Sequence, residues 1–130
     1  MPRHDEAHWY VELPGGWHGE REDESTLFNR DGGAGSLAVT LLCDKEPVTR
    51  EVLMGLAAST LEEGHTASDI QSGALQGLYF FYEEEGTAWR EWYLAAGKCV
   101  FFVSYDCPQG DESKEAAEID AIVAGLTLQR

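Results

Sequence analysis

Apolar and polar positions alternate early in the chain. Residues 8–13 (HWYVEL) set Trp9, Val11 and Leu13 on one side, which predicts a short strand. Pro14-Gly15-Gly16 ends it in a turn. Trp17 follows, and the charged stretch 20–24 reads as a solvated loop. Residues 25–30 (STLFNR) form a weaker second strand, and the glycine-rich run 31–35 has the length of a hairpin connection. In residues 36–43 (SLAVTLLC), Leu37, Val39, Leu41 and Cys43 point one way and Ser36, Ala38, Thr40 and Leu42 the other, a third strand.

The period then changes. Pro47 breaks the strand, and Thr49 can cap a helix that begins at Arg50. Val52, Leu53, Leu56, Ala57 and Leu61 recur at helical spacing, and Gly64 supplies a left-handed stop after Glu62-Glu63. A polar stretch follows. Residues 75–83, 87–95 and 99–105 then read as three strands joined by tight turns, an antiparallel meander. Asp111 or Ser113 caps a last helix whose stripe is Ile119, Ile122, Val123 and Leu126. Lys114, Glu115, Glu118 and Asp120 cover its outside, Gly125 ends it, and residues 126–128 pack back as a tail. The predicted order is β-β-β-α-β-β-β-α in a single domain, residues 1–130. Helices at isolated places rather than alternating with strands mean an α+β fold: an antiparallel sheet of about six strands with two helices.

Ten of the 14 aromatic residues lie between Tyr79 and Tyr105, on both faces of the meander. Phe101, Val103 and Tyr105 face one way and Val100 and Phe102 the other, so the central strands should be covered on both sides. One helix on each face would do this. Alternatively both helices share one face and the second face binds a partner, a ligand or another copy. The candidate binding residues are Trp17, Tyr79, Phe81 and Trp92, with Glu91 beside them. Glu91 sits mid-strand between Trp89 and Tyr93 on a face that otherwise reads apolar. A carboxylate there needs an edge position, a cross-strand partner or a shifted pKa, and Arg90 points the opposite way.

Charge narrows the partner. The chain of 130 residues carries 24 acidic and nine basic residues, a net charge of −15. That argues against nucleic-acid backbones and anionic membranes, both of which require a positive footprint. It suits an electronegative platform for a basic protein partner. The apolar fraction of 43% is that of a globular domain, long enough to bury roughly two-thirds of its unfolded surface without disulfides or metal. The polar N-terminus has no apolar leader, and no window of 18 apolar residues exists.

Three cysteines without a leader or a C-x-x-C pair read as reduced cytosolic thiols. Cys43 and Cys99, in apolar strands, are expected as small buried hydrophobes, and Cys107, beside Asp106 and Pro108, as more exposed. A straight strand would hold Cys99 and Cys107 about 26 Å apart, too far to bridge unless it folds back before Pro108. No cysteine has a basic neighbour to activate it. His4 and His8 flank Asp5 and Glu6 at a frayed polar terminus, His18 lies in a loop, and His65 suits the C-terminal end of a helix dipole. No metal site is expected. Residues 31–35 lack the lysine of a phosphate loop and precede a strand rather than a helix, so no nucleotide cofactor is implied.

A short strand ending in Leu13-Pro14-Gly15-Gly16-Trp17, a hairpin, a helix, three long strands and a C-terminal helix ending Ile122-Val123-Ala124-Gly125-Leu126 resemble the Mog1/PsbP-like superfamily. The resemblance covers almost the whole chain at the level of pattern. It implies an α/β/α sandwich around an antiparallel sheet and a non-enzymatic binding role. Branches of that superfamily bind a small GTPase, attach to photosystem II or act as chaperones for secreted bacterial effectors. No functional residue transfers from them to this chain.

The sequence thus predicts a small acidic, non-catalytic protein-binding module of chaperone, immunity or adaptor type, bacterial in style and cytoplasmic. Its partner is a protein of basic character, and a homodimer is a further option. The alternative is a small-molecule-binding protein or enzyme with its site in an aromatic groove near Glu91, with a histidine for acid–base work.

Overall fold

The computed structural model describes residues 3–129; Met1 and Pro2, which begin the polar terminus, and Arg130 lie outside it. Strands are β1 (Arg3–Asp5), β2 (Trp9–Glu12), β3 (Trp17–Glu22), β4 (Ser25–Arg30), β5 (Ser36–Cys43), β6 (Ser68–Ser72), β7 (Leu75–Glu84), β8 (Thr87–Ala96), β9 (Cys99–Pro108) and β10 (Thr127–Leu128). Helices are α1 (Arg50–Leu56), α2 (Ala58–Glu62) and α3 (Ala116–Ala124). Seven strands pair in the order β3-β4-β5-β9-β8-β7-β6, with every neighbour antiparallel. A smaller sheet runs β1-β2-β10.

The α+β class and the antiparallel meander β7-β8-β9 are as the alternation predicts. The meander joins the first half of the sheet through β5 and β9, a long-range pairing that sets Leu37 opposite Tyr105 and Val39 opposite Val103. Both faces are covered, with helices on each. On one, α3 and the small sheet bury Trp9, Val11, Ile119, Ile122 and Val123 against Phe28, Trp92, Leu94 and Phe101. On the other, α1 and α2 bury Leu53 and Ala57 against Leu78, Phe80, Tyr93 and Val100.

Several expectations are corrected. Residues 3–5 of the polar terminus are not frayed: His4 pairs opposite Val11 in β1, and its ring meets the edge of Phe28 at 5.0 Å between centroids. The charged stretch 20–24 is largely strand, because β3 pairs with β4 from Trp17↔Arg30 to Glu22↔Ser25. The polar stretch after Gly64 contains β6, an edge strand, where polar side chains face water at no cost. The expected single helix from Arg50 divides at Ala57, whose φ of −88° and ψ of 7° leave the helical region. Thr49 does cap α1, accepting from the Val52 N–H, and Gly64 takes the left-handed φ of 94°. Neither Asp111 nor Ser113 caps the last helix, which starts after Glu115.

Glu115 is itself a correction, since it does not cover the outside of its helix. It is 1% exposed, and its carboxylate accepts from the Tyr105 hydroxyl at 2.7 Å, the Gly35 N–H at 3.0 Å and the Arg30 Nε at 2.7 Å. Burial alone would push this carboxyl up; the Tyr105 hydroxyl and the Arg30 guanidinium outweigh it and hold it below its ordinary value. One turn on, Glu118 accepts from the Trp17 indole at 2.8 Å.

The cysteines are corrected as well. Cys43 and Cys99 form a disulfide, and Cys107 is the free thiol, buried rather than exposed. Adjacency within one strand kept Cys99 and Cys107 apart. The bridge forms instead between strands, because the β5–β9 register sets Cys43 directly opposite Cys99. Burial pushes the Cys107 thiol up, away from reactivity.

Thiol titration of the unfolded, unreduced protein should find one reactive group per chain, and all three cysteines after reduction. Replacing Cys43 and Cys99 by Ser opens a loop with a sequence separation of 56. Chain entropy sets the expected loss at about 4 kcal/mol, read as a lower urea midpoint. A depressed carboxyl stabilises above the unfolded pKa, and that contribution is lost as pH falls through the lower folded value. Glu115→Gln should therefore be less stable than the parent at about pH 7, with the gap closing as pH falls below the ordinary glutamate value of about 4.3.

Candidate functional site

Strand β8 divides the predicted binding residues by parity. Trp92 points into the α3 layer at 1% exposure, and Glu91 points the other way. Tyr79 and Phe81 share the Trp92 face, because Tyr79 pairs opposite Trp92 and Phe81 opposite Arg90. Arg90 ties that group together: its Nε donates to the Tyr79 hydroxyl at 2.7 Å, its guanidinium lies 4.5 Å from the Trp92 ring centre, and it pairs with Asp120 of α3. Trp17, 5% exposed, is anchored on Glu118 of the same layer. Of these aromatic side chains Phe81 is the open one, at 48% exposure.

Glu91 stands at neither an edge nor a salt bridge. It is 9% exposed and accepts from the Tyr82 hydroxyl at 2.7 Å and the Thr60 hydroxyl at 3.2 Å. The register explains the first bond: Phe80 lies opposite Glu91, so Tyr82 is its diagonal neighbour on the same face. The second comes from α2, so the carboxylate pins that short helix to the sheet. Burial, then the bonded Glu91 carboxylate, pushes the Tyr82 phenol above its ordinary range. The Tyr82 ring also stacks on His65, with centroids 3.9 Å apart and planes 14° from parallel. Thus Glu91 and one histidine do meet, through Tyr82.

Sequence reading placed His65 only at the C-terminal end of a helix and did not single out Thr60 or Tyr82 for the site. Tyr82 carried a signal, since it shares its alternation with Phe80; Thr60 and His65 carried none, because only packing brings α2 over β8. Around His65 stand two more carboxylates. One donor atom from each of Glu63, His65 and Glu84 lies within 4.8 Å of the other two, a set able to hold a metal ion.

A second feature lies further along the same face. Leu42 of β5, Leu56 of α1, and Tyr93 and Phe102 of the meander line a cavity of about 210 Å³. Leu42 is 41% exposed, Leu56 42% and Val52, one turn before it, 45%. These apolar side chains stay open because α1 and α2 are too short to reach across β5. Of the helical stripe expected here, Leu53 and Ala57 are buried while Val52 and Leu56 face outward. Another cavity, about 570 Å³, lies between α1 and β6-β7, with Arg50 and Asp69 paired at its mouth. Neither cavity is lined by Glu91.

No family model matches the chain, and no curated protein matches it in sequence. Solved structures do match. A protein of Bacteroides thetaiotaomicron VPI-5482 is similar with a TM-score of 0.71 at 20% identity, over 94% of this chain and 45% of its own. The chain therefore spans less than half the length of that protein. LpqN of Mycobacterium tuberculosis, involved in cell envelope biogenesis, is similar with a TM-score of 0.55 at 15% identity, over 94% of this chain and 83% of its own. The fold is shared with these two proteins. Cyanobacterial PsbP (CyanoP) of Synechocystis sp. PCC 6803 gives a TM-score of 0.47 at 12% identity, over 98% of this chain and 92% of its own. At such identities likeness extends to the fold alone. No helix among the described residues is long and apolar enough to cross a membrane.

Tyr82→Phe leaves the buried Glu91 carboxylate short of a donor and should cost roughly 1–3 kcal/mol in chemical denaturation. In a tyrosinate absorbance titration, Tyr82 should ionise above the ordinary value of about 10. Glu91→Gln removes the carboxylate charge and should bring it down.

Proposed function

We propose that this chain is a non-catalytic protein-binding module, of the chaperone, immunity or adaptor type, whose partner docks on the open part of the α1/α2 face. The observation that carries the reading is the apolar concavity of Leu42, Leu56, Tyr93 and Phe102, flanked by exposed Val52. Apolar surface left uncovered by the fold marks interaction sites. Exposed Asp44, Glu46 and Glu51 sit in the adjoining segments. With a net charge of −15, they favour a partner of basic character that brings an apolar anchor. The Cys43–Cys99 disulfide supports an oxidising compartment over the cytoplasm expected from sequence.

The alternative, a small-molecule or catalytic site near Glu91, has one observation in its favour: the His65–Tyr82–Glu91 contact. Against it, Trp92 points to the opposite face and Glu91 is spent on holding α2.

A photo-crosslinking residue at Leu56 should capture one specific partner from native extract, and the same probe at Glu20 in β3 should not. Leu56→Glu should weaken the complex at least tenfold, a change of about 1.4 kcal/mol, while leaving the melting temperature near that of the parent. Association should slow as salt rises from low to physiological concentration. A second copy of the chain in the crosslink, with a dimer in light scattering, would assign the face to self-association instead.

A further inference from the structure

We infer that Glu63, His65 and Glu84 form a binding site for one divalent transition-metal ion, with Zn²⁺ the best match to the donors. The site is built by two chain reversals. Glu63 closes α2, and Gly64, with its φ of 94°, turns the chain so that His65 follows at once. Glu84 ends β7 just before the β7–β8 turn, where Glu85 and Gly86 both take positive φ. The three donor atoms lie within 4.8 Å of one another.

His65 separates this group from an ordinary acidic surface. Its ring is held flat on Tyr82, so its orientation is set before any ion arrives. Its Nε2 is buried and has no hydrogen-bond partner among the described residues. A buried, unpaired ring nitrogen is rare in folded proteins, and a bound ion would account for this one. The two glutamates are exposed and can rotate towards an ion. In a tetrahedral zinc shell with donors about 2.1 Å from the metal, neighbouring donors stand about 3.4 Å apart. The glutamates would need to close by about 1.4 Å at most, within the range of one χ rotation.

The donor set selects the ion. Imidazole with two carboxylates suits zinc or manganese better than calcium or magnesium, which prefer oxygen alone. Three protein donors leave the rest of the shell to water, the arrangement of an open rather than a structural zinc site. Exposed Glu62, Glu83 and Glu85 adjoin the donors in sequence, and their charge favours a cation over an anion. A bound ion would tie the C-terminal end of α2 to the β7–β8 hairpin, across the same contact that Glu91 makes from below.

Protein free of any affinity tag is titrated with Zn²⁺ by calorimetry, and its histidine rings are followed by NMR. One ion per chain is expected, with the His65 resonances moving and the melting temperature rising. His65→Gln and Glu84→Gln should each weaken Zn²⁺ at least about tenfold, while His8→Gln leaves it unchanged. Zinc affinity indifferent to His65→Gln, or no binding below about 1 mM, overturns the assignment. Should the variants fold poorly, the parent protein decides: zinc that binds without moving the His65 ring signals sits elsewhere.

Discussion

The buried carboxylate of Glu115 holds the two halves of this molecule in one arrangement. It stands at the start of α3 and reaches three separate pieces of chain: Arg30 at the end of β4, Gly35 in the β4–β5 connection and Tyr105 in β9. Taking a carboxylate out of water is expensive, and it is tolerable only where charge and hydrogen bonds replace the lost solvent. Here a guanidinium, a phenol and a backbone N–H do so together. The consequence is geometric. With its N-cap residue fixed, α3 lays Ile119, Ile122 and Val123 on the sheet, and its tail returns as β10 beside β2. Shifting the helix by one residue would break all three bonds to Glu115.

The opposite face is held differently. Glu91 is also a buried carboxylate, but its donors among the described residues are two neutral hydroxyls, from Tyr82 and Thr60. Two such bonds offset less of the desolvation cost than an ion pair does. They clamp a five-residue helix that has little apolar surface of its own. The α3 face is therefore a large, closed core, while the α1/α2 face is thin, with an open apolar concavity at one side and a histidine-carboxylate group at the other. Function is more readily carried on the face where coverage is incomplete, because side chains there are positioned by a rigid sheet without being consumed by packing.

Much of the fold was legible because its signals are local. Strand β5 and the meander follow strict alternation, Thr49 caps α1 by a side-chain bond to its own first turn, and Gly64 turns the chain where a left-handed residue was needed. Elements without an apolar signature were not legible. β1 and β6 are edge strands of mostly polar residues, and they are defined by the partner they pair with, not by composition. Glu115 did carry a signal. It lies four residues before Ile119, in line with the buried helical stripe. Cys43 and Cys99 carried none, since a separation of 56 residues says nothing of register.

By itself the sequence determined the period of each long element, the antiparallel class of the sheet, the acidic surface and the need for cover on both aromatic faces. These follow from side-chain direction and charge, which each residue brings wherever it sits. Tertiary structure alone decided which strands beyond the meander are neighbours, and with that the disulfide, the burial of Glu115 and the docking of α2 on Glu91, and the meeting of Glu63, His65 and Glu84. Most of those contacts join residues far apart along the chain, such as Cys43 and Cys99, Thr60 and Glu91, or Arg30 and Glu115. Their existence depends on register and layer order, which only the collective burial of the whole core selects.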